Sequence, residues 1–109
     1  MSKGFIVTID DQEVYTTKSI RSPGRLRRHF DEITHKMDEG ITLGSQTVAK
    51  PNDYQKQQYV ALLLVNGLQA DDVNLVHVMA AYLYERYPQL REIRVNSQGE
   101  QFNLKLINN

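Results

Sequence analysis

Apolar and polar residues alternate at both ends of this chain, and between those ends apolar residues recur at helical spacing. Near the start, Phe5, Val7 and Ile9 alternate with Ile6 and Thr8. Turn chemistry follows at Asp10-Asp11-Gln12, and Val14-Tyr15-Thr16-Thr17 resumes with β-branched and aromatic residues. Near the end, Ile93 and Val95 alternate with Glu92, Arg94 and Asn96. Ser97-Gln98-Gly99 turns, and Phe102, Leu104 and Leu106 alternate with Gln101, Asn103 and Lys105. A period of two marks a strand with one apolar and one polar face. Two such hairpins predict an antiparallel four-stranded sheet, covered by helices on one face and open to water on the other.

Three helices are expected between the hairpins. Ser22 can cap the first, Pro23 suits its first position, and Gly40 stops it. Its apolar residues Leu26, Phe30, Ile33 and Met37 fall within about 60° of one another on a helical wheel, a single buried stripe. Residues 41–52 show no clean period and read as a loop with room for a short strand. Asn52 or Asp53 caps a second helix that ends at Asn66-Gly67. Asp71 or Asp72 caps a third, which Pro88 stops after Tyr87. A strand over residues 60–65 is the competing reading, because short apolar runs are ambiguous by period; Gln55-Lys56-Gln57-Gln58 favours helix. The predicted fold class is α+β, in two layers, with element order ββ-α-αα-ββ.

A chain of 109 residues has room for one core, so residues 1–109 are expected to form a single domain. It has no cysteine, which excludes disulfides, thiolate-bound zinc, iron–sulfur clusters and a cysteine nucleophile. The opening residues lack the long apolar region of a signal peptide. The longest apolar run, Tyr59 to Val65, is far too short to span a bilayer. The expectation is a soluble, cytoplasmic domain without membrane contact.

The second and third helices carry more apolar surface than a two-layer domain should need. Val73, Val76, Ala80, Leu83 and Tyr87 form one stripe of the third helix, while Leu75, Val78, Met79 and Tyr82 lie off it. A helix apolar around most of its circumference is enclosed on more than one side. Either the hairpin sits at the centre of the monomer, or one face packs on a second copy. The second alternative predicts a homodimer, with Tyr59, Leu63, Leu75, Met79 and Tyr82 as interface residues.

One segment breaks a local rule. No acid lies between Glu13 and Asp31, and Lys18, Arg21, Arg25, Arg27 and Arg28 all fall in that window. Arginines in the first turns of a helix oppose its macrodipole, where acids are the better local choice. Converging there, these side chains make a candidate site for an anion or nucleic acid. Against nucleic acid stand the balanced charge, thirteen basic and thirteen acidic side chains, and the lack of aromatics among these cations. The competing reading is a solvated ladder of pairs, Arg27 with Asp31, Arg28 with Glu32, Asp31 with His35 and Glu32 with Lys36. The polar sheet face, with Tyr15, Arg94, Asn103 and Lys105, could extend such a site.

No catalytic constellation is legible. Glu32-Ile33-Thr34-His35 has the Glu-x-x-His spacing of di-iron bundles but no second pair, so no metal is expected. Gly40-Ile41-Thr42-Leu43-Gly44-Ser45 lacks the lysine and the spacing of a phosphate-binding loop. His77, inside the apolar third helix, reads as a hydrogen-bonded core or interface histidine. No cofactor is implied. The reading that remains is a small interaction module, homodimeric, binding another protein or macromolecule, with anion binding through residues 18–28 as the alternative.

Overall fold

The computed structural model describes residues 4–17, 24–43, 46–97 and 103–109, and within the first helix the side chains from Arg28 onward. Among the described residues six strands and three helices follow one another as β1 (Ile6–Ile9), β2 (Gln12–Thr16), α1 (Gly24–Asp38), β3 (Ile41–Leu43), β4 (Gln46–Val48), α2 (Asp53–Gln69), α3 (Val73–Arg86), β5 (Leu90–Asn96) and β6 (Asn103–Asn108). The class is α+β. The main sheet has the order β2-β1-β5-β6, and β3 and β4 pair separately.

The sheet is mixed, which corrects the all-antiparallel expectation. Both terminal hairpins form, but β1 and β5 lie side by side in parallel, with Val7 opposite Ile93 and Ile9 opposite Val95. The physical reason is the distribution of apolar residues between the strands of each hairpin. In each, the leading strand is the more apolar: Val7, Ile93 and Val95 are fully buried, whereas most of β2 is exposed. Burial is greatest at the centre of a sheet, so the two leading strands take the centre. Both run in the same direction, and their pairing is therefore parallel.

This pairing brings the β1–β2 turn and the Ser97 end of β5 together at one end of the sheet. Asp10 and Asp11 form a two-residue turn with positive φ at both positions, as a type I′ turn requires. The Asp10 backbone N–H donates to the Val95 carbonyl at 2.9 Å. Its carboxylate accepts from the Ser97 backbone N–H at 2.9 Å and from the Ser97 hydroxyl.

The helices depart from their expected faces at α3, where Val73 is exposed and Met79 and Tyr82, expected off the stripe, are buried; Leu26 of the α1 stripe lies outside the described side chains. Asn52 caps α2 in a reciprocal box, the Gln55 N–H donating to Asn52 Oδ1 and the Asn52 N–H to Gln55 Oε1, each at 2.8 Å. Gly67 does not end α2, which continues to Gln69. A Cβ at Gly67 would lie 3.1 Å from Val76 Cγ2 and 3.3 Å from Leu75 Cδ2, so the missing side chain lets α3 approach closely. The stop comes instead at Asp71, with φ of 55°. The Asp72 N–H donates to the Gly67 carbonyl and the Asp71 N–H to that of Leu68, as in a Schellman motif. Asp72 then caps α3 by accepting from the Leu75 N–H at 3.2 Å. The segment expected as a loop holds the β3–β4 ribbon, and its Ile41 is buried.

The core is one cluster joining the apolar sheet face to all three helices. His77 is exposed on the single chain and so is not a core histidine, because the α3 face turned inward carries Val76, Ala80 and Leu83. Among the described residues no helix is long and apolar enough to cross a membrane.

Candidate functional site

An apolar groove opens where the end of α1, the start of β3, α2 and α3 meet. Ile33, Met37, Ile41, Tyr59, Leu63 and Met79 line it, with Gly40 and Lys36 also at its wall, around a space of about 160 Å³. Each element delivers its share for a local reason. Ile33 and Met37 belong to the buried stripe of α1. Gly40, at φ of 126°, turns the chain out of that helix and sends Ile41 straight back under α2. Tyr59 and Leu63 are four residues apart and so share a face of α2.

Polar contacts hold α1 against its neighbours and so fix one wall. Tyr82 meets Phe30 edge-on, with ring centres 5.5 Å apart. Thr34 Oγ1 donates to the Phe30 carbonyl at 3.1 Å, which leaves Thr34 to accept from the Tyr82 hydroxyl at 2.6 Å. Arg86 Nη2 donates to Asp31 Oδ1 at 2.7 Å, and Lys56 pairs with Asp38 across α2 and α1.

The expected interface residues divide between two environments. Tyr59 and Leu63 are half-buried at the groove, and Met79 closes its floor. Leu75 is half-buried beside Gly67. Tyr82, only 2% exposed, is part of the monomer's interior. Much of the apolar circumference of α2 and α3 is thus enclosed by α1 and the sheet. What remains open among the described residues includes the groove and, outside it, Tyr54 and Val73.

Lys18 and Arg21 of the basic segment lie outside the described residues. Arg25 and Arg27 occupy the first turns of α1, where their side chains are outside the description as well. Arg28 is exposed, and the first turn of α1 carries no acid. The expected ion-pair ladder does not form among the described side chains. Asp31 reaches across to Arg86 instead, Glu32 stands 3.6 Å from His29, and His35 stands 3.9 Å from Glu39. Packing of α1 on α3 brings the Arg86 guanidinium within reach of Asp31, while the Arg27 side chain of the expected rung lies outside the described side chains.

The open sheet face carries Thr8, Glu92, Arg94 and Lys105. Thr8 Oγ1 donates to Glu92 Oε2 at 2.7 Å, and Arg94 Nε donates to the same oxygen at 3.0 Å. Tyr15 is not on this face: the bulge between Val7 and Thr8 sets it beside Val7, toward the core, where burial raises its phenol pKa. Tyr87 is raised too, by burial first and then by the Asp53 carboxylate that its hydroxyl meets at 3.2 Å. Among the described residues no three His, Asp or Glu side chains converge as metal ligands.

Two carboxyls titrate below their usual values: Glu92, through its bonds from Arg94 and then Thr8, and Asp10, through its two bonds from Ser97. In acid the unfolded chain therefore takes up protons first, so stability is held above the ordinary carboxylate range and lost as pH falls through and below it. Replacing Glu92 by Gln should flatten the acid limb of a urea-unfolding series by about 0.2–1 kcal/mol, while neutral-pH stability falls by a similar amount. An acid limb unchanged in the variant would remove Glu92 from the account.

No protein-family model, curated protein or solved structure matches this chain.

Proposed function

We propose that this chain is a non-enzymatic interaction module, which binds another macromolecule by taking one of its apolar side chains into the groove between α1, α2 and α3. A single observation carries this reading. The groove is apolar, its space of about 160 Å³ is left open by the chain's own helices, and it is smaller than a pocket for a drug-sized ligand, ~300–1,000 Å³. A cavity of about 150 Å³ takes one benzene ring, so this space suits a single anchoring side chain. Anchors of that kind, seated in apolar pockets, supply most of the energy of many protein interfaces.

Met37 and Met79 both line the groove and report on it by ¹³Cε-methyl NMR. A capped Gly-Asp-Leu-Gly peptide should shift both signals saturably, and Leu63→Glu, which puts a charge at the wall, should abolish the response. Signals that stay put throughout the titration would overturn the reading.

A further inference from the structure

Lys36 stands at the groove, and among the described residues no carboxylate lies within ion-pair distance of its ammonium group. Glu32 lies beside His29, Glu39 beside His35, Asp31 is bonded to Arg86, and Asp38 is paired with Lys56. The Tyr59 hydroxyl, also at the groove, has no hydrogen-bond partner among the described residues either. An apolar groove with one uncompensated cation at its wall complements an apolar side chain that has a carboxylate next to it.

The chain carries that combination on its own surface. Among the described residues three large apolar side chains are exposed, and an acid immediately precedes each: Glu13 before Val14, Asp53 before Tyr54 and Asp72 before Val73. The three are not equivalent. The Asp53 carboxylate is bonded by the Tyr87 hydroxyl, and Val14 sits at the bulge of an edge strand. Val73 is the most exposed, at 77%, and two acids precede it, since Asp71 also points its charge to solvent. One oxygen of Asp72 caps α3. The other, and the whole Asp71 carboxylate, remain available. Val73 does not reach the groove of its own chain: Met79 is six residues further along the same helix, about 9 Å.

Resting on the reading of the groove as a seat for an apolar anchor, we infer that its occupant is a second copy of this chain, which inserts Val73 and sets Asp71 and Asp72 against Lys36. A two-fold axis makes the exchange reciprocal, each copy giving one anchor and taking one. The partner copy thus completes the site.

Sedimentation velocity over a micromolar concentration range tests this. The wild type should self-associate, and Val73→Ser and Lys36→Glu should each weaken association by about tenfold or more, because the second leaves two acids facing a third. Both changes are at exposed positions, and circular dichroism verifies that the variants are folded. Mixing Lys36→Glu protein with Asp71→Lys protein should recover association that neither shows alone. A wild type that stays monomeric, or variants that associate as tightly as wild type, would overturn the second copy as occupant. If the monomer's Met37 and Met79 signals still respond to the capped peptide, the groove reading survives that failure. A dimer that Leu63→Glu leaves intact would likewise overturn the second copy as occupant, and a peptide titration that moves neither methionine signal would overturn the groove reading as well.

Discussion

Phe30→Ala should lower the unfolding free energy by about 3–5 kcal/mol, the range for deleting a large buried aromatic. Phe30 is 1% exposed and stands edge-on to Tyr82. That geometry adds about 0.5–1.5 kcal/mol beyond burial alone. The cavity left behind would also strip Tyr82 of its packing, while the Thr34–Tyr82 hydrogen bond stayed to hold the gap open. A domain of this size has only about 5–15 kcal/mol of net stability, so the variant would sit near its threshold. Urea unfolding followed by circular dichroism measures the loss. Because Phe30 helps to seat α1, and α1 forms one wall of the groove, the variant should also lose the peptide response of Met37 and Met79. A midpoint close to that of the wild type would mean that α1 does not pack on α3 through this residue.

Ile93→Ala should cost about 2–5 kcal/mol. Ile93 is fully buried in β5, with Val7 beside it on the parallel side and Leu106 on the antiparallel side. Truncation removes contacts from both neighbours and from the helical layer above. Val14→Ala is the matched control, since Val14 is 46% exposed at the bulge of edge strand β2 and should change stability by less than about 0.5 kcal/mol. Similar losses at the two positions would contradict the placement of β5 at the centre and β2 at the edge.

The local features of this fold were legible because their causes are local. Alternation located the strands of both terminal hairpins. Side-chain capping by Asn52 and Asp72 located the starts of α2 and α3, and Gly40 located the turn after α1. Gly67 misled, because a glycine that permits close packing and a glycine that ends a helix look alike in sequence. The turn at Asp71 was obscured for the related reason that an aspartate occupies a position where glycine is usual.

Long-range features were less accessible. Which strands of the two hairpins would meet depends on comparing their burial, and alternation alone leaves parallel and antiparallel joining equally open. The Asp31–Arg86 bridge spans 55 positions, a separation that helical spacing does not reach. His77 shows the limit of hydrophobic patterning, since apolar neighbours on either side do not decide which way a helical residue faces.

The groove lies between these extremes. Its residues were visible singly: Ile33 and Met37 as the stripe of α1, Tyr59, Leu63 and Met79 as apolar positions in excess of one core. Their meeting around a single space depends on Gly40 folding Ile41 back beneath α2, a consequence of tertiary structure. The apolar excess divides between buried positions and surface that stays open at the groove. Part of it belongs to the interior, because Val76, Met79, Tyr82 and Leu83 are buried, while Val73 stays exposed.

The most direct test of that residual surface is the position of the Met37 and Met79 ¹³Cε-methyl signals as the wild-type protein is diluted through its association range. Both should move together with the fraction of dimer, and Leu63→Glu should hold both at the dilute-limit position at every concentration. A dimer that forms while these two signals stay fixed would contradict the account, because association would then use some other face of the molecule.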